Sequence, residues 1–385
     1  MSVLEKAIKD CTTYDLAFCK FISANDAGAT GAHQSGFYIP KNSWTILFDS
    51  VGIKGSNKEK LVKIRWQDDF ETDSRFIYYG QGTRNEYRIT RFGRGFPYLN
   101  QNHVGDLFVL IKVSDEYYRG YILETDEDIE HFLAAFGISS NQTNDLINTS
   151  LGRSETLPTL EELFKQYIAG LTVDFPETAQ ISAKAREFYQ TINPRLIVSP
   201  DNLILNWLNT EFSLFKAIEL DRYEKRISTP FASVDELVEC ANTLLNRRKS
   251  RAGKSLEHHL SEMFKINMLN FESQVITEDN KKPDFIFPGG EQYHNKVFNK
   301  ENLFFLGAKT TCKDRWRQIL NEADRIEYKH LFTLQQGISE NQLVEMYKHK
   351  VVLVVPSLYI RSFPASFRDK ILSLENFILR VKNKQ

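Results

Sequence analysis

Lys281-Lys282-Pro283-Asp284-Phe285-Ile286-Phe287, Leu303-Phe304-Phe305-Leu306-Gly307-Ala308-Lys309 and Asp314-Arg315-Trp316-Arg317-Gln318-Ile319-Leu320-Asn321-Glu322 are the stretches whose reading decides the fold of this chain. The first two contain short apolar and aromatic runs bounded by Pro, Gly and Asn, the pattern of strands buried in a sheet. They set Asp284 at the mouth of one strand and Lys309 at the end of the next. From Asp314 onward, Trp316, Ile319, Leu320, Ala323 and Ile326 recur at helical spacing, which predicts a helix to Tyr328 with Asp314 as N-cap and Glu322 on the flank of its apolar stripe. An acid and a lysine on adjoining strand ends suit metal-assisted phosphodiester hydrolysis. That chemistry needs a carboxylate for the cation and a positive charge beside the reacting phosphate.

Each of these residues also has an ordinary reading. An Asp after Pro is a common turn residue, a Lys at a strand end a solvated edge charge, and a helical Glu a surface residue. Their combination in one strand, strand and helix frame favours a nuclease site. Gly307 stands where an acid-x-Lys pattern on the second strand would place its carboxylate. Glu322, thirteen residues after Lys309, is a second acid in the same frame, and Glu257, on the helix preceding the first strand, is a third able to face the same cleft.

The run Asn246-Arg247-Arg248-Lys249-Ser250-Arg251-Ala252-Gly253-Lys254-Ser255-Leu256-Glu257, the stretch from Lys281 to Phe287, and the stretch from Lys309 to Asp324 closely resemble EcoRII-type restriction endonucleases, type IIE enzymes of the PD-(D/E)XK fold. Ser23-Ala24-Asn25-Asp26-Ala27-Gly28-Ala29-Thr30-Gly31 does so too. The resemblance implies a homodimer that cuts double-stranded DNA at CCWGG, W being A or T, ahead of the first C. Within the family, one subgroup moves its second carboxylate onto the helix following the lysine strand, and Glu322 occupies that place here. By the same resemblance Asp284 and Glu322 hold Mg²⁺, Lys309 stabilises charge on the phosphate, Tyr293 of a Tyr293-His294 pair contacts the scissile phosphate, and Lys313, Asp314 and Arg315 read the C·G pairs. Arginine suits guanine and a carboxylate suits cytosine. The other readings are a DNA-binding regulator that no longer cuts, against which Asp284, Lys309 and Glu322 speak, and a repair or nicking nuclease of the same fold.

A chain of 385 residues, 42% hydrophobic, has material for two domains with proper cores. Residues 1–155 read as a mostly β domain. Short strands at Gly36–Ile39, Val62–Trp66, Phe76–Tyr79, Tyr87–Thr90, Leu107–Val113 and Tyr117–Leu123 alternate with Gly, Asn and Asp turns. The resemblance makes it a pseudobarrel effector domain that binds a second copy of the recognition site; its separation from Asp284 and Lys309 by a hinge zone suggests that it covers the catalytic cleft until that copy is bound, the alternative being a plain affinity module. Residues 156–182 form a linker or hinge zone, including a helix from Leu160 to Ala169. Residues 183–385 read as an α/β catalytic domain, a mixed sheet with strands at Gln274–Thr277, Asp284–Phe287, Leu303–Lys309, His330–Leu334 and Val351–Val355, flanked by helices.

With a net charge of −1, DNA binding must draw on local patches. In the first domain the candidates are His33 and Gln34 at the end of a Gly-rich arm, and Arg84, Glu86, Arg88, Arg91 and Arg94. Arginine forks address guanine O6 and N7, and Glu86 can accept from cytosine N4. The alternative for this second stretch is a solvated edge strand. In the second domain Arg247, Arg248, Arg251 and Lys254 lie in a run without acids, read as the opening of a helix over Ser255–Leu269 that grips phosphates. Gly253-Lys254-Ser255 is not a nucleotide loop, because Arg248 occupies the position of the required glycine; no nucleotide cofactor is expected. Cys11, Cys19, Cys240 and Cys312 are too scattered for a zinc site and point to reduced thiols in the cytoplasm. The sequence shows no signal-peptide core, and no apolar run approaches the roughly 20 residues of a membrane span.

Overall fold

The computed structural model describes residues 1–28, 36–147, 158–194 and 198–385. His33, Gln34 and the linker stretch 148–157 therefore lie outside the described residues. Two compact units form. The first comprises Met1–Ser150 with two later segments, Gln335–Lys348 and Tyr359–Lys370; the second comprises Leu151–Leu334, His349–Leu358 and Ile371–Gln385.

The first unit is built on eight strands: β1 (Leu16–Phe21), β2 (Phe37–Ile39), β3 (Lys58–Trp66), β4 (Glu71–Tyr79), β5 (Glu86–Thr90), β6 (Leu107–Lys112), β7 (Tyr117–Leu123) and β8 (Asp145–Ile147). Their order in the sheet is β2-β5-β4-β3-β7-β6-β1-β8, antiparallel throughout except for β3 beside β7. All six expected strands are present. Neighbouring residues of β1 and β6 point to opposite faces, and both faces are covered. Phe18, Phe108 and Leu110 join an aromatic core with Phe37, Trp66, Phe76 and Tyr118. Cys19, Val109 and Ile111 pack instead with Ala7 and Cys11 of α1 (Val3–Thr13) and Phe132 of α2 (Asp126–Phe136).

In the second unit α3 (Pro158–Ala169), α4 (Thr178–Ile192), α5 (Pro200–Ile227) and α6 (Val234–Ile266) precede the strands β9 (Glu272–Ser273), β10 (Phe285–Phe287), β11 (Phe304–Lys309), β12 (Lys329–Thr333), β13 (Val351–Val355) and β14 (Leu372–Ser373). The short α7 (Gly290–His294) follows β10, α8 (Glu340–Lys348) follows β12 within a first-unit segment, and α9 (Leu374–Lys382) ends the chain. The sheet runs β14-β13-β12-β11-β10-β9, antiparallel from β9 to β11 and parallel from β11 to β14. It is the expected mixed sheet with helices. The strand expected at Gln274–Thr277 is replaced by the two-residue β9, because Gln274 turns the chain with a φ of 58°. Among the described residues no helix is long and apolar enough to cross a membrane, and all four cysteines are free.

The helix expected to open at Arg247 is instead the middle of the 33-residue α6. Its basic run is largely committed to packing. Arg251 is buried and reaches Glu211 of α5 at 3.0 Å, Arg248 forms a two-pronged pair with Glu219, and Arg247 stacks on Phe175 and donates to Tyr223. His259 Nε2 lies 2.8 Å from the other Glu211 oxygen. The Arg186 guanidinium can only donate, so His259 Nδ1, 3.2 Å away, is the acceptor and Nε2 carries the proton toward Glu211. Burial raises the cost of the Glu211 charge, but hydrogen bonding with His259 and the charge of Arg251 hold its carboxyl down at about 2. The cluster locks α4, α5 and α6 together beneath Glu257. Glu211→Ala should leave Arg251 charged and uncompensated in the core; the expected loss in urea unfolding is about 3–5 kcal/mol, and a loss under about 1 kcal/mol would show that the cluster does not hold the helices.

Candidate active site

Strand pairing builds the site. Phe285 of β10 pairs antiparallel with Leu306 of β11, so the residue before β10 lies level with the end of β11. There Asp284 Oδ2 accepts the Ala308 amide at 2.8 Å and the Lys309 ammonium at 3.3 Å. One carboxylate thus ties the two strands and fixes the lysine beside itself.

Glu257 on α6 and Glu322 approach the same group. Both are partly buried. Burial raises the Glu257 carboxyl above its usual range, and the Asp284 charge raises it further, with Lys309 opposing. Glu322 behaves alike: burial first, then Asp284, raise it, and Lys309 opposes. Three carboxylates and one ammonium within mutual electrostatic reach leave more negative charge than Lys309 can neutralise. The donor set is all oxygen and anionic, which fits a hard divalent cation such as Mg²⁺. A separate trio, His103, Asp106 and Glu124, brings one ligand atom each to within 4.8 Å of the others in the first unit, where His103 Nδ1 lies 2.8 Å from Asp106 Oδ2.

Gly307 shows why the second acid is not on the strand. A Cβ at this position would lie 3.0 Å from Cγ2 of Ile319. Ile319 belongs to a 3-10 helix, Arg315–Ile319, that packs over the space a strand carboxylate would need. The helix expected to run from Asp314 to Tyr328 is therefore corrected to this one short turn followed by irregular chain, with Ala323 in the left-handed region at φ 51°. Asp314 makes no N-cap hydrogen bond, contrary to expectation. Glu322 reaches the site from a turn.

Other expected site residues divide by burial. Tyr293 is corrected: it is buried and donates to Glu278 at 2.6 Å, and the Arg325 amide lies 3.4 Å from its oxygen, so it braces the fold and does not present its hydroxyl to a phosphate. Lys313 is buried, Arg315 partly buried and Asp314 exposed. Lys254 is exposed on α6, whereas the burial of Arg251 within its pair with Glu211 removes it from any DNA surface. In the first unit Arg84, Arg91 and Arg94 are exposed and Glu86 is partly so. Arg88 is buried beside Glu86 at 3.4 Å, a correction to its expected exposure; the two share one face of β5, opposite the core residues Tyr87 and Ile89. Sequence reasoning passed over Lys281 and Lys329, which hold the main chain around Glu322. Lys329 is a cation inside an apolar strand, a signal that could have been read.

Comparison with known proteins places both halves. Residues 11–156 match the family model for the N-terminal part of restriction endonuclease EcoRII, and residues 215–378 match that for the EcoRII C terminal. The chain is 36% identical over 393 residues to the type II restriction enzyme EcoRII of Escherichia coli, covering 96% of this chain and 94% of that protein. It is 28% identical over 141 residues to the type II restriction enzyme SsoII of Shigella sonnei, covering 34% of this chain and 45% of that one. Similar solved structures include metal-depleted Ecl18kI in complex with uncleaved, modified DNA, with a TM-score of 0.46 and 19% identity over 59% of this chain and 84% of that one. A PspGI–substrate DNA complex gives 0.44 and 17% over 55% and 95%.

Tyr293→Phe tests the correction made above. Removing the hydroxyl should lower stability by about 1.5–3 kcal/mol in urea, the worth of a hydrogen bond to a charged group, while the folded enzyme keeps cutting DNA. Full stability with lost cleavage would return Tyr293 to the reacting phosphate.

Proposed function

Because the chain belongs to the EcoRII family of type II restriction enzymes and is a site-specific deoxyribonuclease, we propose that it cuts both DNA strands at CCWGG, ahead of the first C, as a Mg²⁺-dependent homodimer in the cytoplasm. The observation that carries this reading is the Asp284 carboxylate held against both the Ala308 amide and the Lys309 ammonium. Asp284 and Glu322 would hold the ion, with Glu257 facing it. When bound, Mg²⁺ supplies Lewis acidity toward the scissile phosphate and a water of lowered pKa.

The chain's own groups do the rest. Lys309 sits at the edge of the carboxylate cluster, where its positive charge meets the negative charge that develops on the phosphorus oxygens. Its tie to Asp284 prevents it from turning away before DNA arrives. Arg315 and Asp314 supply a guanidinium fork for guanine and a carboxylate for cytosine, and Lys313 supports the same contacts. Lys254, with Arg247 and Arg248 where their packing leaves them reachable, contacts phosphates. A palindromic site calls for a two-fold dimer with one active site per strand.

The N-terminal domain acts as a pseudobarrel effector module for a second copy of the site. Arg84, Arg91 and Arg94 furnish its exposed cations, joined by Glu86 and by His33 and Gln34. It restrains the catalytic domain until that second copy is bound. Such coupling requires the second DNA to prefer the released state.

Asp284→Ala and Lys309→Ala should each nearly abolish cleavage of a CCWGG duplex in Mg²⁺ while specific binding without metal persists in a gel-shift assay. Substantial residual cutting by both variants would overturn the assignment. Full-length protein should cut plasmids with several sites well and single-site DNA poorly, and a fragment beginning near Ala183 should cut single-site DNA unaided. Equal rates of the full chain on both DNAs would leave the first domain as an affinity module without control.

A further inference from the structure

Glu322 sits in a segment with little regular structure of its own to aim it. After the 3-10 turn ending at Ile319, the chain has no α-helical ladder before β12, and Ala323 takes a left-handed conformation that is unfavourable for a residue with a Cβ. A side chain on such a turn is held only as well as its main chain is held.

Two lysines do this from either side. Lys281 Nζ donates to the carbonyl of Asn321 at 2.9 Å, immediately before Glu322. Lys329 Nζ donates to the carbonyl of Ala323, immediately after it, and to that of Ile326 at 2.7 Å. Each lysine is rooted in a segment that adjoins one of the site's two strands. Lys281 lies three positions before Asp284 in the segment entering β10, and Lys329 opens β12, where it pairs in register with Phe305 of β11. Glu278 and Arg325 secure the chain further on, through the Asp324 amide and the carbonyls of Gln292 and Phe298. Among these groups, only the lysines grip the carbonyls adjoining Glu322.

We propose that Lys281 and Lys329 are positioning residues for cleavage: by clasping the main chain on both sides of Glu322, they aim its carboxylate at the Asp284–Lys309 pair and so complete the cation site. This rests on the reading of Glu322 as a metal ligand. It makes a prediction opposite in sign to a purely electrostatic role. If the lysines acted only as nearby positive charges, removing one would make the site more attractive to a cation. If they position Glu322, removing one weakens cation binding.

The experiment is Mn²⁺ binding to the full chain, followed by electron paramagnetic resonance, for the wild type, Lys281→Ala, Lys329→Met, Glu322→Gln and the Glu322→Gln/Lys281→Ala double variant. Urea unfolding of each reports whether it folds. Glu322→Gln defines the ions bound through Glu322. Lys281→Ala, whose side chain is partly exposed and whose loss should be tolerated, is expected to weaken that class about 10-fold, within the range for groups that orient ligands. Lys329→Met should weaken it at least as much; if it does not fold, Lys281→Ala carries the test. In the Glu322→Gln background Lys281→Ala should add nothing, the non-additivity of groups acting through one another. Tighter or unchanged binding in Lys281→Ala, or the same loss with Glu322 already removed, would overturn the proposal. Wild-type ion binding and cleavage in Glu322→Gln would instead overturn the reading of Glu322 itself, and the proposal with it.

Discussion

The Asp284 carboxylate is the contact on which the second unit's chemistry depends. It accepts a main-chain amide from the neighbouring strand and an ammonium from the residue after that amide. Strand pairing, which apolar residues drive, is thereby converted into the placement of a negative and a positive group at a fixed separation. Glu257 and Glu322 are then brought to this pair from a helix and a turn, against their own electrostatics, since burial and Asp284 both disfavour their charged forms. A divalent cation held by these carboxylates would relieve that repulsion.

Packing decides where the second carboxylate comes from. Ile319 crowds the space above Gly307, so a side chain there would have to push its Cγ2 aside, and Glu322 lies three residues beyond Ile319. Once Ile319 is set down on β11, a continuous helix through Glu322 is replaced by a tight turn. That turn needs grips from outside itself. Lys281, Lys329, Glu278 and Arg325 provide them.

Much of this was legible in the sequence. Apolar runs bounded by breakers located β2 to β7 in the first unit and β10 to β13 in the second, and Asp284 and Lys309 could be placed from those strands alone. The misreadings share a cause, which is that local periodicity does not report distant partners. Trp316, Ile319, Ala323 and Ile326 have helical spacing, yet only the first two share the 3-10 turn, and Ala323 and Ile326 are buried from the irregular chain after it. Arg251 looked like part of a DNA patch because its carboxylate, Glu211, lies 40 residues away on another helix. Tyr293 was read as catalytic because Glu278, which it binds, stands on the far side of β10 in the chain. Nor does the sequence announce that Gln335–Lys348 and Tyr359–Lys370 belong to the first unit.

The most direct test of the account is anomalous diffraction from crystals of the full chain with uncleaved CCWGG duplex, soaked in Mn²⁺. The account predicts a Mn²⁺ peak with carboxylate oxygens of both Asp284 and Glu322 at about 2–2.5 Å, the range of hard cations with oxygen ligands, and Lys309 beside the scissile phosphate. A peak held by Asp284 without Glu322, or one confined to His103, Asp106 and Glu124, would contradict it.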